Sequence, residues 1–190
     1  MTTKPVLVAI DVAGDAAEWE AAGFAVDDDG SCRIGHVRMR TGAARRGIGG
    51  WTLGATTEVE PAPHPNGAQL LDHVVVFTDD PQRTTETYAE LGLEARRVRE
   101  AGTGTTQTFF RAGEVIVELV GPMPDVRGER LWGLAIAVDD LDACAALLGD
   151  RLGRVKDAVQ RGRRIATLRH EACGLSVPVA FMSGEIRERA

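Results

Sequence analysis

LLDHVVVFTDDPQRTTETYAELGL, residues 70–93, decides how the rest of this 190-residue chain is read. The β-branched run Val74–Val76 predicts a strand. Asp80 stands where a helix N-cap accepts from free amides, and Pro81 suits the first helical position, where no amide donor is needed. Gly92 closes the helix. Farther on, LWGLAIAVDDLDACAALLGDRLG (131–153) repeats that grammar: Leu131 falls over Leu71, Val138 over Thr78, and Asp139–Asp140 over Asp79–Asp80. Three strand-like segments follow each helix. In the first unit they are Glu94–Glu100, Thr105–Ala112 and Glu114–Val120; in the second, Arg154–Gln160, Arg163–His170 and Leu175–Phe181. Both units therefore read β-α-β-β-β. Open sheets of this kind need a covering partner, so the repeats are expected to pack together.

Working outward, residues 58–68 are rich in proline (Pro61, Pro63, Pro65) and read as an extended linker. It would join a 1–57 N-terminal α+β module to a 69–183 domain made of repeats 69–121 and 129–183. The N-terminal part looks like a degenerate third copy. Val6–Val12 is a strand candidate, Asp15–Ala22 a helix closed by Gly23, and Phe24–Asp28 with Ser31–Thr41 a hairpin turning at Asp29–Gly30. Ile48–Gly54 is its last strand. IGHVRMRTG (34–42) is loosely similar to AGEVIVELVG (112–121).

Composition excludes several classes. A net charge of −6 argues against a general nucleic-acid or anionic-membrane binder, and 5% aromatic residues against a base-stacking platform. No apolar run approaches the roughly 18–20 residues of a membrane span. Asp11 cuts short the only signal-like stretch near the N-terminus, Pro5–Ile10. Cys32, Cys144 and Cys173 form no CxxC pair, which fits a reducing, cytoplasmic setting. Arginine greatly outnumbers lysine amid abundant Ala and Gly, a bacterial, GC-rich habit.

LDHVVVFTDD, the helix ending ELGL, and FFRAGEVIVELVGP resemble the first half of a glyoxalase/bleomycin-resistance/dioxygenase protein, a member of the vicinal oxygen chelate (VOC) superfamily. The resemblance covers roughly 69–183. It implies an α+β fold in which paired βαβββ modules form a curled mixed sheet around a pocket, with the N-terminal α+β module as an extra. Carried over, His73 matches the family's metal histidine and Glu118 its metal carboxylate. Imidazole and carboxylate suit a divalent ion such as Zn, Ni, Mn or Fe. The second module departs from the pattern. Gly133 stands at the position of His73, and Pro178, or Val179 with the register shifted by one, at that of Glu118. None can ligate, so the site is incomplete within one chain. His170 and Glu171 are donors by type but not by position. If the 69–121 module faced its own copy in a homodimer, two His and two Glu would converge; pairing within the chain is the favoured arrangement. An odd number of modules also points to a homodimer.

His73 and Glu118 are equally candidates for a catalytic acid/base pair, or for plain hydrogen bonding in an inert pocket. For substrate contact the candidates are Phe110, Gly133 and Arg97. Phe109 and Phe110 lie on opposite faces, so one reaches the cup. Gly133 would leave room where a ligand side chain otherwise sits. Arg97, with Arg99, Arg161, Arg163 and Arg164, would attract a carboxylate or phosphate, although arginines on strand edges usually mark a solvated face. The resemblance implies isomerase, lyase or epimerase-type chemistry on a small oxygen-bearing organic molecule, a metal polarising oxygens and a carboxylate moving protons. The incomplete ligand set counts against an extradiol dioxygenase. The alternative is metal-free small-molecule binding, or antibiotic sequestration of the bleomycin-resistance type.

Overall fold

The computed structural model describes residues 4–55, 62–102 and 104–184. The N-terminal elements are β1 (Val6–Val12), α1 (Ala16–Ala21), β2 (Ser31–Ile34), β3 (Val37–Arg40) and β4 (Ile48–Gly54). The first repeat gives β5 (Ala68–Thr78), α2 (Pro81–Glu90), β6 (Ala95–Glu100), β7 (Thr106–Ala112) and β8 (Val115–Gly121). The second gives β9 (Glu129–Val138), α3 (Leu141–Leu148), β10 (Lys156–Asp157), β11 (Arg164–Thr167) and β12 (Val179–Ser183). Asp80 caps α2 by accepting from the Arg83 amide, and Asp140 caps α3 by accepting from Asp142 and Ala143.

The two repeats make one eight-stranded sheet in the order β10-β11-β12-β9-β5-β8-β7-β6. Within each module the first and last strands run parallel (β5 with β8, β9 with β12), and the modules join where β5 meets β9 antiparallel. The duplication is visible in the register: His73 opposes Ala135 while Val75 opposes Gly133. Exchanging 73 with 133 and 75 with 135 turns one pair into the other. β9 occupies the edge of β5, so the two modules pair within the chain, the favoured arrangement.

β1–β4 form a second sheet, ordered β2-β3-β1-β4, with β1 parallel to β3 and antiparallel to β4. This mirrors β7-β8-β5-β9. β2 and β3 therefore take the places of a module's last two strands, and β4 that of a partner module's first strand. The expected hairpin is displaced accordingly. It turns at Gly35–His36 between β2 and β3, and Phe24–Asp28 is not a strand. Phe24 instead plugs the core, edge-on to Trp19 at 5.5 Å and stacked on Phe181 of β12 at 5.8 Å.

The small sheet packs behind the large one, with β1 against β7, β2 against β5 and β4 against β9. One continuous apolar core results, running from Leu7 and Met39 through Val74 and Val117 to Phe181. Part of the expected linker is clamped rather than extended; residues 58–61 lie outside those described. His64 Nδ1 accepts from the Ala25 amide at 3.0 Å and Nε2 donates to the Arg33 carbonyl at 2.8 Å. Asn66 donates to the Ala22 carbonyl and accepts from the Ala68 amide. Burial lowers the His64 pKa, outweighing the hydrogen bond to Arg33 that favours the charged ring. Cys32, Cys144 and Cys173 are buried free thiols, and burial pushes the first two up to about 12. Among the described residues, no helix is long and apolar enough to cross a membrane.

Candidate functional site

Strand alternation decides what faces the concave side of the large sheet. Along β8, Val115, Val117 and Leu119 are buried in the core while Ile116 and Glu118 face the cup; along β5, Val74 and Val76 go inward and His73 and Val75 outward. The register sets His73 beside Ile116 and Val75 beside Glu118. His73 and Glu118 are thus diagonal neighbours on one face, with Nε2 3.6 Å from Oε2.

Both groups are held from behind. A register irregularity between Leu71 and His73 breaks the alternation of β5, so that Leu71 and Asp72 are both buried. Asp72 Oδ2 accepts from His73 Nδ1 at 2.9 Å, which fixes the tautomer and leaves Nε2 toward Glu118. Asp72 Oδ1 lies 2.8 Å from Nη2 of Arg163, a residue of the second module that is 8% exposed. Burial pushes the Asp72 carboxyl up, but the hydrogen bonds and charges of His73 and Arg163 outweigh it and hold the pKa below the ordinary aspartate range. On the other side, Gln107 Nε2 donates to Glu118 Oε1 at 2.6 Å, and Arg99 donates to the Gln107 side-chain oxygen. The result is one polar chain: Arg163–Asp72–His73–Glu118–Gln107–Arg99.

The His73–Glu118–Gln107–Arg99 stretch lines a cavity of about 770 Å³, and Asp72 and Arg163 are buried behind it. The two outer edges of the sheet face each other across it, β6 on one side and β10 with the turn through Arg161 on the other. That volume is ample for a small organic ligand.

The remaining sequence candidates separate here. Arg97 opposes Phe109 in the ladder, and both belong to the cup wall along with Glu118, to which Phe109 is paired. Phe110 points the other way. Its ring is 1% exposed and lies edge-on to Tyr88 at 5.2 Å, so the aromatic side chain offered to a ligand is that of Phe109. Counting outward from the Gly113 turn puts Phe109 opposite Glu118, a signal the sequence already carried. Gly133 does not leave free space. A Cβ there would sit 3.2 Å from Pro178 Cβ and 3.0 Å from its carbonyl oxygen. The counterpart of Glu118 is Ala180, paired with Ala135 as Glu118 is with Val75, rather than Pro178 or Val179. In the small sheet the matching strand position holds Arg40, which is closed by an ion pair with Asp11. His170 lies in a 3-10 turn outside the cup.

The donor set does not fit a resident divalent ion within one chain. Glu118 and His73 supply two donors, Asp72 is taken up by the other ring nitrogen, and Gly133 and Ala180 supply none. Among the described residues, no three His, Cys, Asp or Glu side chains converge in a metal-binding arrangement.

A family model described as glyoxalase/bleomycin resistance protein/dioxygenase superfamily matches residues 72–167. No curated protein matches the chain. Among solved structures, the methylmalonyl-CoA epimerase of Mycobacterium tuberculosis is similar at 21% identity and a TM-score of 0.51, covering 62% of this chain and 89% of its own. A hypothetical protein of Bacillus halodurans aligns at 18% identity and a TM-score of 0.50, over 63% of this chain and 97% of its own. At these identities the likeness is one of fold.

Proposed function

Since the chain belongs to the glyoxalase/bleomycin resistance protein/dioxygenase superfamily, we propose that it moves a proton on a small oxygen-bearing organic molecule, in epimerase- or isomerase-type chemistry, using Glu118 and His73. The observation that carries this reading is the His73–Glu118 pair, held from both sides and turned into the cup. Glu118 Oε2 takes the proton from a carbon next to a carbonyl. His73 Nε2, left without a proton because Nδ1–H is held by Asp72, takes that proton on from Glu118 and returns it, while negative charge gathers on the carbonyl oxygen. Phe109 covers the ligand from the β7 side. Members of the superfamily often bind a divalent metal, which would polarise the same oxygen. Two donors per chain, His73 and Glu118, are too few to hold one firmly.

A binding or sequestration role of the bleomycin-resistance kind is the second reading, favoured by the absence of reactive side chains at Gly133 and Ala180. Buried thiols support a reducing cytoplasm, and the odd module count supports a homodimer, which sedimentation tests. For the chemistry the test is proton–deuteron exchange in D2O followed by NMR, with methylmalonyl-CoA as the probe because the similar structures are named for it. Exchange that falls about 100-fold or more in both Glu118→Gln and His73→Ala supports proton transfer. A probe that binds without exchanging sinks it in favour of sequestration.

A further inference from the structure

Six arginines outside the cup are each matched by a carboxylate. Arg33 pairs with Asp27, Arg38 with Asp29, Arg40 with Asp11, Arg83 with Asp79, Arg163 with Asp72 and Arg164 with Asp142. A second hollow, of about 490 Å³ on the outer face of the small sheet, holds Arg33 and Arg38 together with both of their aspartates. Acids exceed bases in the chain, 28 to 22, so partners are not scarce.

In the cup the cations are instead concentrated and outnumber the carboxylates. Arg96, Arg97, Arg99, Arg111, Lys156 and Arg161 all line it, against Glu118 and Asp157 alone. Among the described residues only Arg96 of these six makes an ion pair, with Glu94 at 3.7 Å. Glu118 is already engaged by Gln107 and His73. The register fixes where the charges point: Arg97 pairs with Phe109, Arg99 with Gln107 and Arg111 with Ile116, all on the cup face. Lys156 pairs with Ile165 on the opposite edge, and Ile165 is itself part of the wall. Cations therefore stand on both edges of the curled sheet and face each other across one cavity. Like charges so placed repel and focus a positive potential in a molecule whose net charge is −6.

We infer that the cup takes a polyanionic ligand, one bearing a phosphate ester or several carboxylates, gripped between the β6 arginines and the Lys156–Arg161 edge while its neutral end reaches Glu118. Guanidinium groups suit both anions because their planar donors match two oxygens at once. The inference rests on the reading of this cup as the functional site and names the class of molecule that enters it.

Isothermal titration of the purified full chain with inorganic pyrophosphate and with tricarballylate tests it, with Arg97→Gln, Arg161→Gln and, outside the cup, Arg38→Gln as variants. Arg97 and Arg161 are exposed, and thermal melts check that each variant folds. The expected result is stoichiometric binding of at least one anion, weakened about tenfold by either cup variant, unchanged in Arg38→Gln and weaker at high salt. Tighter pyrophosphate assigns a phosphate ester and tighter tricarballylate a polycarboxylate; either supports the inference. No binding of either at about 10 mM, or an equal loss in Arg38→Gln, overturns it. Anion binding needs no chemistry, so a protein that binds pyrophosphate yet exchanges no proton sinks the proposed reaction and leaves this inference standing. The converse result does the reverse.

Discussion

Replacing Asp72 by Asn removes one charge from a pair that is almost sealed, both residues being 8% exposed. Asp72 Oδ1 lies 2.8 Å from Arg163 Nη2, and Oδ2 accepts from His73 at 2.9 Å. Breaking a buried pair by deleting one partner costs about 3–5 kcal/mol, because the survivor stays buried without its counter-charge. Arg163 keeps its Nε donation to the Ser183 carbonyl at 2.9 Å, and an asparagine oxygen still accepts one hydrogen bond, which favours the lower end. A loss of about 3 kcal/mol converts, at roughly 2–4 °C per kcal/mol for a chain of this size, to a Tm lower by about 6–12 °C. Arg163→Met should cost about as much, since it strands Asp72 instead. The double variant leaves no unpaired charge and should cost far less than the sum. Thermal melts of the four proteins, followed by circular dichroism, measure the coupling. A loss below about 1 kcal/mol for Asp72→Asn, the range of exposed pairs, or strict additivity in the double variant, would refute the reasoning.

Three further outcomes are expected. His64 is held neutral, so the unfolded chain takes up its proton first as pH drops below about 6.5. The stabilisation is complete above that value and is lost as pH falls toward the lower folded pKa; urea melts from pH 8 to 5 should show the slope in the wild type and not in His64→Gln. Gly133→Ala should cost about 1–3 kcal/mol in urea melts, because its Cβ meets a backbone oxygen engaged by the Leu134 amide. Phe110→Ala should cost about 3–5 kcal/mol as a core cavity, whereas Phe109→Ala should weaken ligand binding and change stability by about 1 kcal/mol or less.

How much of this was legible depends on which residues carried the signal. In the first repeat, apolar alternation around Gly113 is clean, and the expected Thr105–Ala112 and Glu114–Val120 match β7 and β8 to within a residue at each end. The last strand of the second repeat slipped, from the expected Leu175–Phe181 to Val179–Ser183. Leu175 and Val177 are buried, as strand residues would be, yet they lie in irregular chain. Gly174, at φ +81°, turns the backbone out of a 3-10 turn, and Pro178 has no amide to donate, so the ladder begins after it. Burial alone does not distinguish a strand from a packed coil. His73 and Glu118 stood out by motif, and their face follows from parity. Asp72 did not, because its role depends on a local break in that parity and on an arginine from the other repeat. The Phe109 and Phe110 assignment turned on register, which a count from one glycine would have settled.

Among the described residues β6 has a neighbour on one side only, β7, which leaves its other backbone edge open to a strand of complementary register. Its sequence ARRVRE places three arginines along that edge. A second copy arriving edge to edge would bring the same three charges against them, which discourages sheet growth between molecules. Neutralising several of these arginines at once should therefore lower solubility as well as ligand affinity. Single substitutions keep most of that protection, and light scattering of a triple variant would expose the aggregation they restrain.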